Sequence, residues 1–282
     1  AGAVEGALVR SMRDCASVTE ALAIHRHLGG SFMPSHPPPT LRPQAQVESR
    51  PFRIGFCTQA WGSDVKIDSD VQSALAKMAQ RLEHLGHQVI ELSPQGICDF
   101  NALRESFTVA EWLLPISREL MYQVHEANVE LTDANASIQL RNHLALADRY
   151  DVDDLFGAQL ETEGLMRHWG AFWQHGPCDL LLSPVTPITC PEVTASYRMD
   201  SDLDFDSWFA ALFDAACFTI PANHMGLPAL SIPAGLDRNS CPIGMQFMAP
   251  WQHEHDLLHL GFQIEQAHPE LFNLKPQHGL HR

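Results

Sequence analysis

Between Phe52 and Leu92 the chain runs through an apolar segment, an amphipathic helix and a second apolar segment, an order that few folds accept. Phe52-Arg53-Ile54-Gly55-Phe56 reads as a short strand. Asp68 or Ser69 caps a helix on which Val71, Leu75, Met78, Leu82 and Leu85 form one stripe, and Gly86 stops it. Gln88-Val89-Ile90-Glu91-Leu92 is the second strand. Two strands joined through a helix should run parallel, so the fold class is α/β: a mixed β-sheet flanked by helices.

The rest of the chain extends this plan. Ser11-Met12-Arg13-Asp14 has the hydroxyl-to-carboxylate spacing of a helix start, which predicts a helix over about 12–27. Gly29 and Gly30 end it, and residues 34–51 form a proline-rich connector. Residues 101–175 are helical and broken, with Pro115 interrupting one segment. Asp179-Leu180-Leu181-Leu182-Ser183-Pro184 has the continuous apolar character of a strand buried on both faces. The acidic run from Asp200 to Asp206 reads as a solvated turn, followed by a helix around 208–217. Ala229 to Pro233 and Ile243 to Met248 form a hairpin-like pair of strands, and a last helix covers roughly 254–267.

Composition removes several function classes. The 282 residues carry a formal charge of −16, from 34 acidic and 18 basic side chains, which would repel a phosphate backbone, so no direct nucleic-acid ligand is expected. No stretch approaches the ~18 apolar residues of a membrane span, and the first residues lack the pattern of a secretory signal, so no membrane partner and a cytoplasmic location are expected. The first methionine is Met12, from which a truncated or processed product is expected. Cys15, Cys57, Cys98, Cys178, Cys190, Cys217 and Cys241 include no C-x-x-C pair, so neither a disulfide framework nor a zinc finger is indicated. A helix would place His255 and His259 on one face, but the run His253-Glu254-His255-Asp256-Leu257-Leu258-His259 lacks the H-E-x-x-H pattern and reads as a surface face; no metal and no cofactor are expected.

Gly6 to Asp14, the strand at 52–56, Leu181-Leu182-Ser183-Pro184-Val185-Thr186-Pro187, Phe218 to Gly235 and Cys241 to Phe247 follow one another as in the amidase-signature family, which the chain resembles over nearly its whole length. The most specific part is Asn223-His224-Met225-Gly226-Leu227-Pro228-Ala229-Leu230-Ser231-Ile232-Pro233-Ala234-Gly235, followed by Pro242-Ile243-Gly244-Met245-Gln246. Read from the residues alone, these are scaffold: a turn at Gly226-Leu227-Pro228 and an apolar strand after it. The resemblance implies that Asn223, Gly226, Pro228 and Gln246 shape or buttress a substrate pocket.

The same resemblance implies amide hydrolysis by a nucleophilic serine, a second serine in a cis peptide bond and a lysine base. A hydroxyl needs a neighbouring base, and the oxyanion needs N–H donors. Gly29-Gly30-Ser31 follows the first helix, in the wrong order for the family's Gly/Ser-rich stretch. The three lysines are Lys66, Lys77 and Lys275, none placed to be held desolvated beside a serine. The reading is therefore a C-terminal portion of an amidase, with no catalytic residue in this chain. Its partners would be a small-molecule amide in the intact enzyme and either the missing N-terminal portion or a homo-oligomer partner. A catalytically silent amidase-like binding protein is the alternative, and a cysteine hydrolase using Cys217 or Cys241 with His224 a third. The substrate-discriminating region would be 101–175, where Trp112, Trp169, Phe172 and Trp173 favour an apolar or aromatic amide.

Overall fold

A computed structural model describes residues 6–23, 50–61, 64–193 and 195–274. The connector at 34–51, apart from its last two residues, and Gly29-Gly30-Ser31 lie outside them. The first helix, α1, spans Met12–Ala23, with the Ser11 hydroxyl accepting from the Asp14 N–H at 3.1 Å.

The β-α-β unit forms as the periodicity requires. Strand β1 (Arg53–Phe56) and strand β2 (Gln88–Glu91) pair in parallel, joined through helix α2 (Ser69–His84). Asp68 caps α2 by accepting from the Asp70 N–H at 2.8 Å, and Val71, Leu75, Met78 and Leu82 are buried along its stripe. Gly86 follows with φ +89°, a conformation that costs glycine little. Strand β3 (Leu180–Pro184) is buried at every position and pairs in parallel with β1. Strands β4 (Ala229–Leu236) and β5 (Pro242–Met248) form the expected antiparallel hairpin, and β5 also pairs antiparallel with β3. The sheet order is β2-β1-β3-β5-β4, mixed as expected.

Between β2 and β3 the chain is helical: α3 (Phe100–Phe107), a π-helical stretch at Thr108–Leu113, α4 (Leu114–Glu126), α5 (Ile138–Ala147) and α6 (Val152–His175). Here the structure corrects the sequence reading. Pro115 does not interrupt the helix. The stretch before it carries wide-turn bonds, with the Leu114 N–H reaching Val109 O, and the chain keeps right-handed helical dihedrals from Phe107 through Leu114. A proline lacks the N–H and clashes with the carbonyl one turn back in a regular helix; the wider turn absorbs it.

The acidic run is also more than a solvated turn. Buried Gln139, on α5, donates through Nε2 to Ser201 O at 3.0 Å and Leu203 O at 2.8 Å, and Asp204 caps helix α7 (Phe205–Ala215). A short helix α8 (Ile220–Met225) ends at Gly226, whose φ of +64° is the left-handed cap conformation. Helix α9 (Glu254–Ala267) closes the domain, with α10 (Pro269–Phe272) after it. Helix α1 packs on α9 through Met12 and Ala16 against Leu258. Among the described residues no helix is long and apolar enough to cross a membrane.

Candidate functional site

Strand β1 leads through α2 to β2 on one side, and the return to β3 falls on its other side, so the chain reverses direction across the sheet at β1. Ligands of open parallel sheets bind in the crevice outside the carboxyl ends of strands at such a switch point. A cavity of about 1510 Å³ lies there, bordered by Thr58, Gln59 and Ala60 after β1 and by Pro94 and Gln95 after β2. Its outer wall comes from the helical region, with Phe100 and Arg104 of α3, Leu165 and His168 of α6, and Asp214 of α7.

The wall is charged. Asp64, Asp99, Glu161 and Asp214 face it with Lys66 and Arg104. Arg104 lies 3.6 Å from Asp214 and over the Phe213 ring, 5.2 Å from its centroid. Burial raises the Asp214 carboxyl above its ordinary value; Arg104 pulls against the rise and Asp64 adds to it. Asp99 is occupied in capping α3, accepting from the Asn101 and Ala102 N–H groups. The rim is tied down by polar clasps. The Asp68 N–H donates to Pro187 O at 2.8 Å, and Arg238, from the β4–β5 loop, reaches Asp70 at 2.7 Å and the Ser69 hydroxyl at 2.8 Å.

The residues picked from the sequence do not border this cavity. Asn223 is half-buried on α8. Gly226 caps that helix, and the Pro228 carbonyl accepts from the Ala249 N–H at 3.1 Å, tying the turn to the end of β5. Buried Gln246 donates through Nε2 to Phe218 O at 2.7 Å and lies 3.4 Å from the Ser183 hydroxyl. Phe218 itself joins a run of packed rings. Phe218 packs edge-on against Trp61, 5.2 Å between centroids, and Trp61 stacks on Phe100 at 4.8 Å. Phe100 borders the cavity, so ring contacts run from Phe218 to its lining. Trp112, Trp169, Phe172 and Trp173 are likewise absent from the lining.

Hydrolytic groups are present in fragments. Lys66 and Ser69 both border the cavity, but Lys66 is exposed and the Ser69 hydroxyl is held by Arg238, so the lysine is not kept desolvated. Lys77 is exposed, and Lys275 lies outside the described residues. A serine, a histidine and a carboxylate do meet elsewhere. His224 Nε2 lies 2.9 Å from Ser106 Oγ and 3.2 Å from Thr162 Oγ1, and its Nδ1 is 4.0 Å from Glu111 Oε1. Ser106 and His224 are both buried, and the Ser106 hydroxyl donates to Leu103 O. A nucleophile must reach its substrate, and this one is sealed inside the helical region. Burial lowers the His224 imidazole to about 4. The cysteine alternative finds no support here: Cys217 is buried, and the Cys241 thiol is raised rather than lowered, first by desolvation and then by Asp237.

Asp64, Arg104, Glu161 and Asp214 escaped the sequence reading because they come from a loop and three separate helices. Only Asp99, as a helix cap, left a local signal.

The Amidase family profile matches residues 2–258. A 6-aminohexanoate-cyclic-dimer hydrolase of Pseudomonas sp. (strain NK87) is 29% identical over 281 residues, which cover 94% of this chain and 54% of that protein. A glutamyl-tRNA(Gln) amidotransferase subunit of Prochlorococcus marinus is 26% identical over 293 residues, covering 98% and 57%. The solved structure of a 6-aminohexanoate cyclic dimer hydrolase superposes with a TM-score of 0.77 at 25% identity, covering 95% of this chain and 55% of that one. A bacterial aryl acylamidase of the amidase-signature family shares the fold, with a TM-score of 0.68 at 18% identity, covering 98% and 55%. The chain belongs to the Amidase family, the amidase-signature amidohydrolases. It spans about half the length of the curated relatives it matches.

Proposed function

We propose that this chain forms the sheet and the substrate-side wall of an amidase that hydrolyses a carboxamide C–N bond through an acyl-serine intermediate, with the catalytic serines and lysine outside these 282 residues. One observation carries the reading: a cavity at the carboxyl ends of the parallel strands, in an Amidase-family chain, whose bordering lysine is exposed and whose Ser69 hydroxyl is tied to an arginine. The region 101–175 serves as the substrate-side part of a single amidase domain, since Arg104, Glu161, Leu165 and His168 border the cavity. Gln246 positions the wall through Phe218, Trp61 and Phe100, while Gly226 and Pro228 hold the turn beside it and Asn223 stands on the helix between them. The substrate is a small amide, the working location is cytoplasmic, and the remaining partner is the catalytic portion or a second copy.

The test is turnover of an aryl amide by the 282-residue chain, with and without a serine-directed phosphonate. A chain without nucleophile and base should give no phosphonate-sensitive turnover, because intact oxyanion donors alone leave only roughly 10³ to 10⁴ over water. Turnover that the phosphonate abolishes would place the nucleophile inside this chain. Restored, phosphonate-sensitive turnover after joining the chain to an upstream segment that supplies a lysine and a Gly/Ser-rich stretch is the positive result.

A further inference from the structure

His255 and His259 share a helical spacing, yet the structure gathers a different set at the start of α9. His253 Nδ1 lies 2.8 Å from Asp256 Oδ2, and His255 Nε2 lies 3.4 Å from Asp256 Oδ1. One donor atom from each of His253, His255 and Asp256 falls within 4.8 Å of the other two. The two imidazoles stack at 5.5 Å between centroids with 27° between planes. Asp256 is 8% exposed while the histidines are about half exposed, which gives a fixed anionic floor with two adjustable nitrogen donors above it.

We propose that His253, His255 and Asp256 form a binding site for a divalent transition cation, of the zinc, nickel or copper type. Two imidazole nitrogens and one carboxylate oxygen are the donors that such ions select, and calcium or magnesium would demand more oxygen. Donors about 2.1 Å from one tetrahedral ion stand about 3.4 Å apart, so movements of roughly 1.5 Å close the set, leaving the fourth position to water. The site lies on a surface separate from the cavity, and none of its three residues borders that cavity. Its role is to fasten the turn before α9 to the first turn of that helix.

One competitor is already in place. The Arg50 guanidinium, 59% exposed, is 3.0 Å from Asp256 Oδ1 and 5.1 Å from the centre of the Phe52 ring. Cation and guanidinium draw on the same carboxylate, so binding the ion displaces Arg50 from Asp256. The positive end of the helix dipole opposes the cation as well, which makes the affinity moderate.

The test uses the full chain, purified without a histidine tag and stripped with chelator, titrated with zinc alone by calorimetry. One equivalent should bind. His253→Gln and His255→Gln should each weaken it at least about tenfold, the scale of loss that even outer-shell changes produce. Arg50→Gln should tighten it, because the competitor is gone. Circular dichroism and metal-free melting of each variant verify folding, and the two histidines are exposed enough to be replaced without loss of core. Absence of saturable binding, a full equivalent retained in the His253→Gln/His255→Gln double variant, or an affinity unmoved by Arg50→Gln would each overturn the assignment.

Discussion

Gln246 offers a sharp probe of how the cavity wall is supported, because its amide and a carboxyl have nearly the same shape. In the protein, Nε2 donates to Phe218 O at 2.7 Å in a buried environment. Gln246→Glu replaces that donor by an oxygen. Ionised, the side chain would set a buried negative charge against a carbonyl oxygen; protonated, it could still donate. The carboxyl in the folded state is therefore raised above its unfolded value of about 4.3. The folded state then holds its proton to higher pH than the unfolded state does. Destabilisation from this source is absent below about pH 4.3, grows as pH rises, and is complete above the folded value. A rise of about 2 to 3 units, at 1.36 kcal/mol each, costs about 3 to 4 kcal/mol at neutral pH, on the order of 10 °C in Tm. Gln246→Ala leaves the Phe218 carbonyl unpaired for about 1 to 3 kcal/mol plus a cavity, with no such pH dependence. Urea unfolding of both variants and the parent at pH 5 and pH 8 separates the cases. If the Gln246→Glu penalty relative to the parent is the same at both values, the idea that Gln246 works as a buried donor to Phe218 is wrong.

Three more outcomes follow from the geometry. Burial lowers His224 to about 4 from an unfolded value near 6.5, so stability that it confers above pH 6.5 is lost as pH falls toward 4; the loss is about 3 kcal/mol, and His224→Gln should remove that component from urea midpoints compared at pH 7 and pH 4.5. Gly55→Ala puts a methyl 2.5 Å from Leu92 Cδ1 and 2.9 Å from Cys178 Sγ beside β1, and should cost about 1 to 3 kcal/mol in chemical denaturation, partly recovered by adding Leu92→Ala. Arg104→Met removes the cation facing Asp214 and leaves Asp64 nearby, so a carboxyl NMR titration should find the Asp214 midpoint shifted upward; an unchanged midpoint would mean that the 3.6 Å pair has no electrostatic consequence.

What could be read from the sequence was what local periodicity and single-residue stereochemistry control. The α2 stripe and the buried run at 180–184 announce themselves within a few residues, and the structure has α2 and β3 where they were expected, while Gly226, read only as part of a turn, ends a helix, α8, that the sequence did not announce. The candidate site was legible mainly as family resemblance, and the residues singled out that way are not among those that border the cavity. Its walls are invisible to pattern reading because Asp64, Arg104, Glu161 and Asp214 meet only after the sheet has brought a loop and three helices together. Gln139 illustrates the same limit. An amide at the start of α5 carries no sign that two carbonyls some sixty residues away will need its protons. Pro115 misled for the opposite reason, since the usual inference from proline assumes a regular turn before it.

The π-helical stretch at Thr108–Leu113 makes one helical rod behave as two with different phases. Each residue advances a regular helix by about 100°, so the extra residue in a wide turn rotates everything beyond it by that angle. Helix α3 presents Leu103, Ser106 and Phe107 to the interior, and α4 then turns Leu114 and Ser117 inward on its own bearing. Deleting one residue there would leave a continuous helix but swing α4 round its axis, exchanging the faces it shows to α5 and to solvent. Substitution and deletion are thus unequal events in this stretch, and a one-residue gap between two otherwise alignable amidases at 108–113 would mark a change in which α4 side chains face α5.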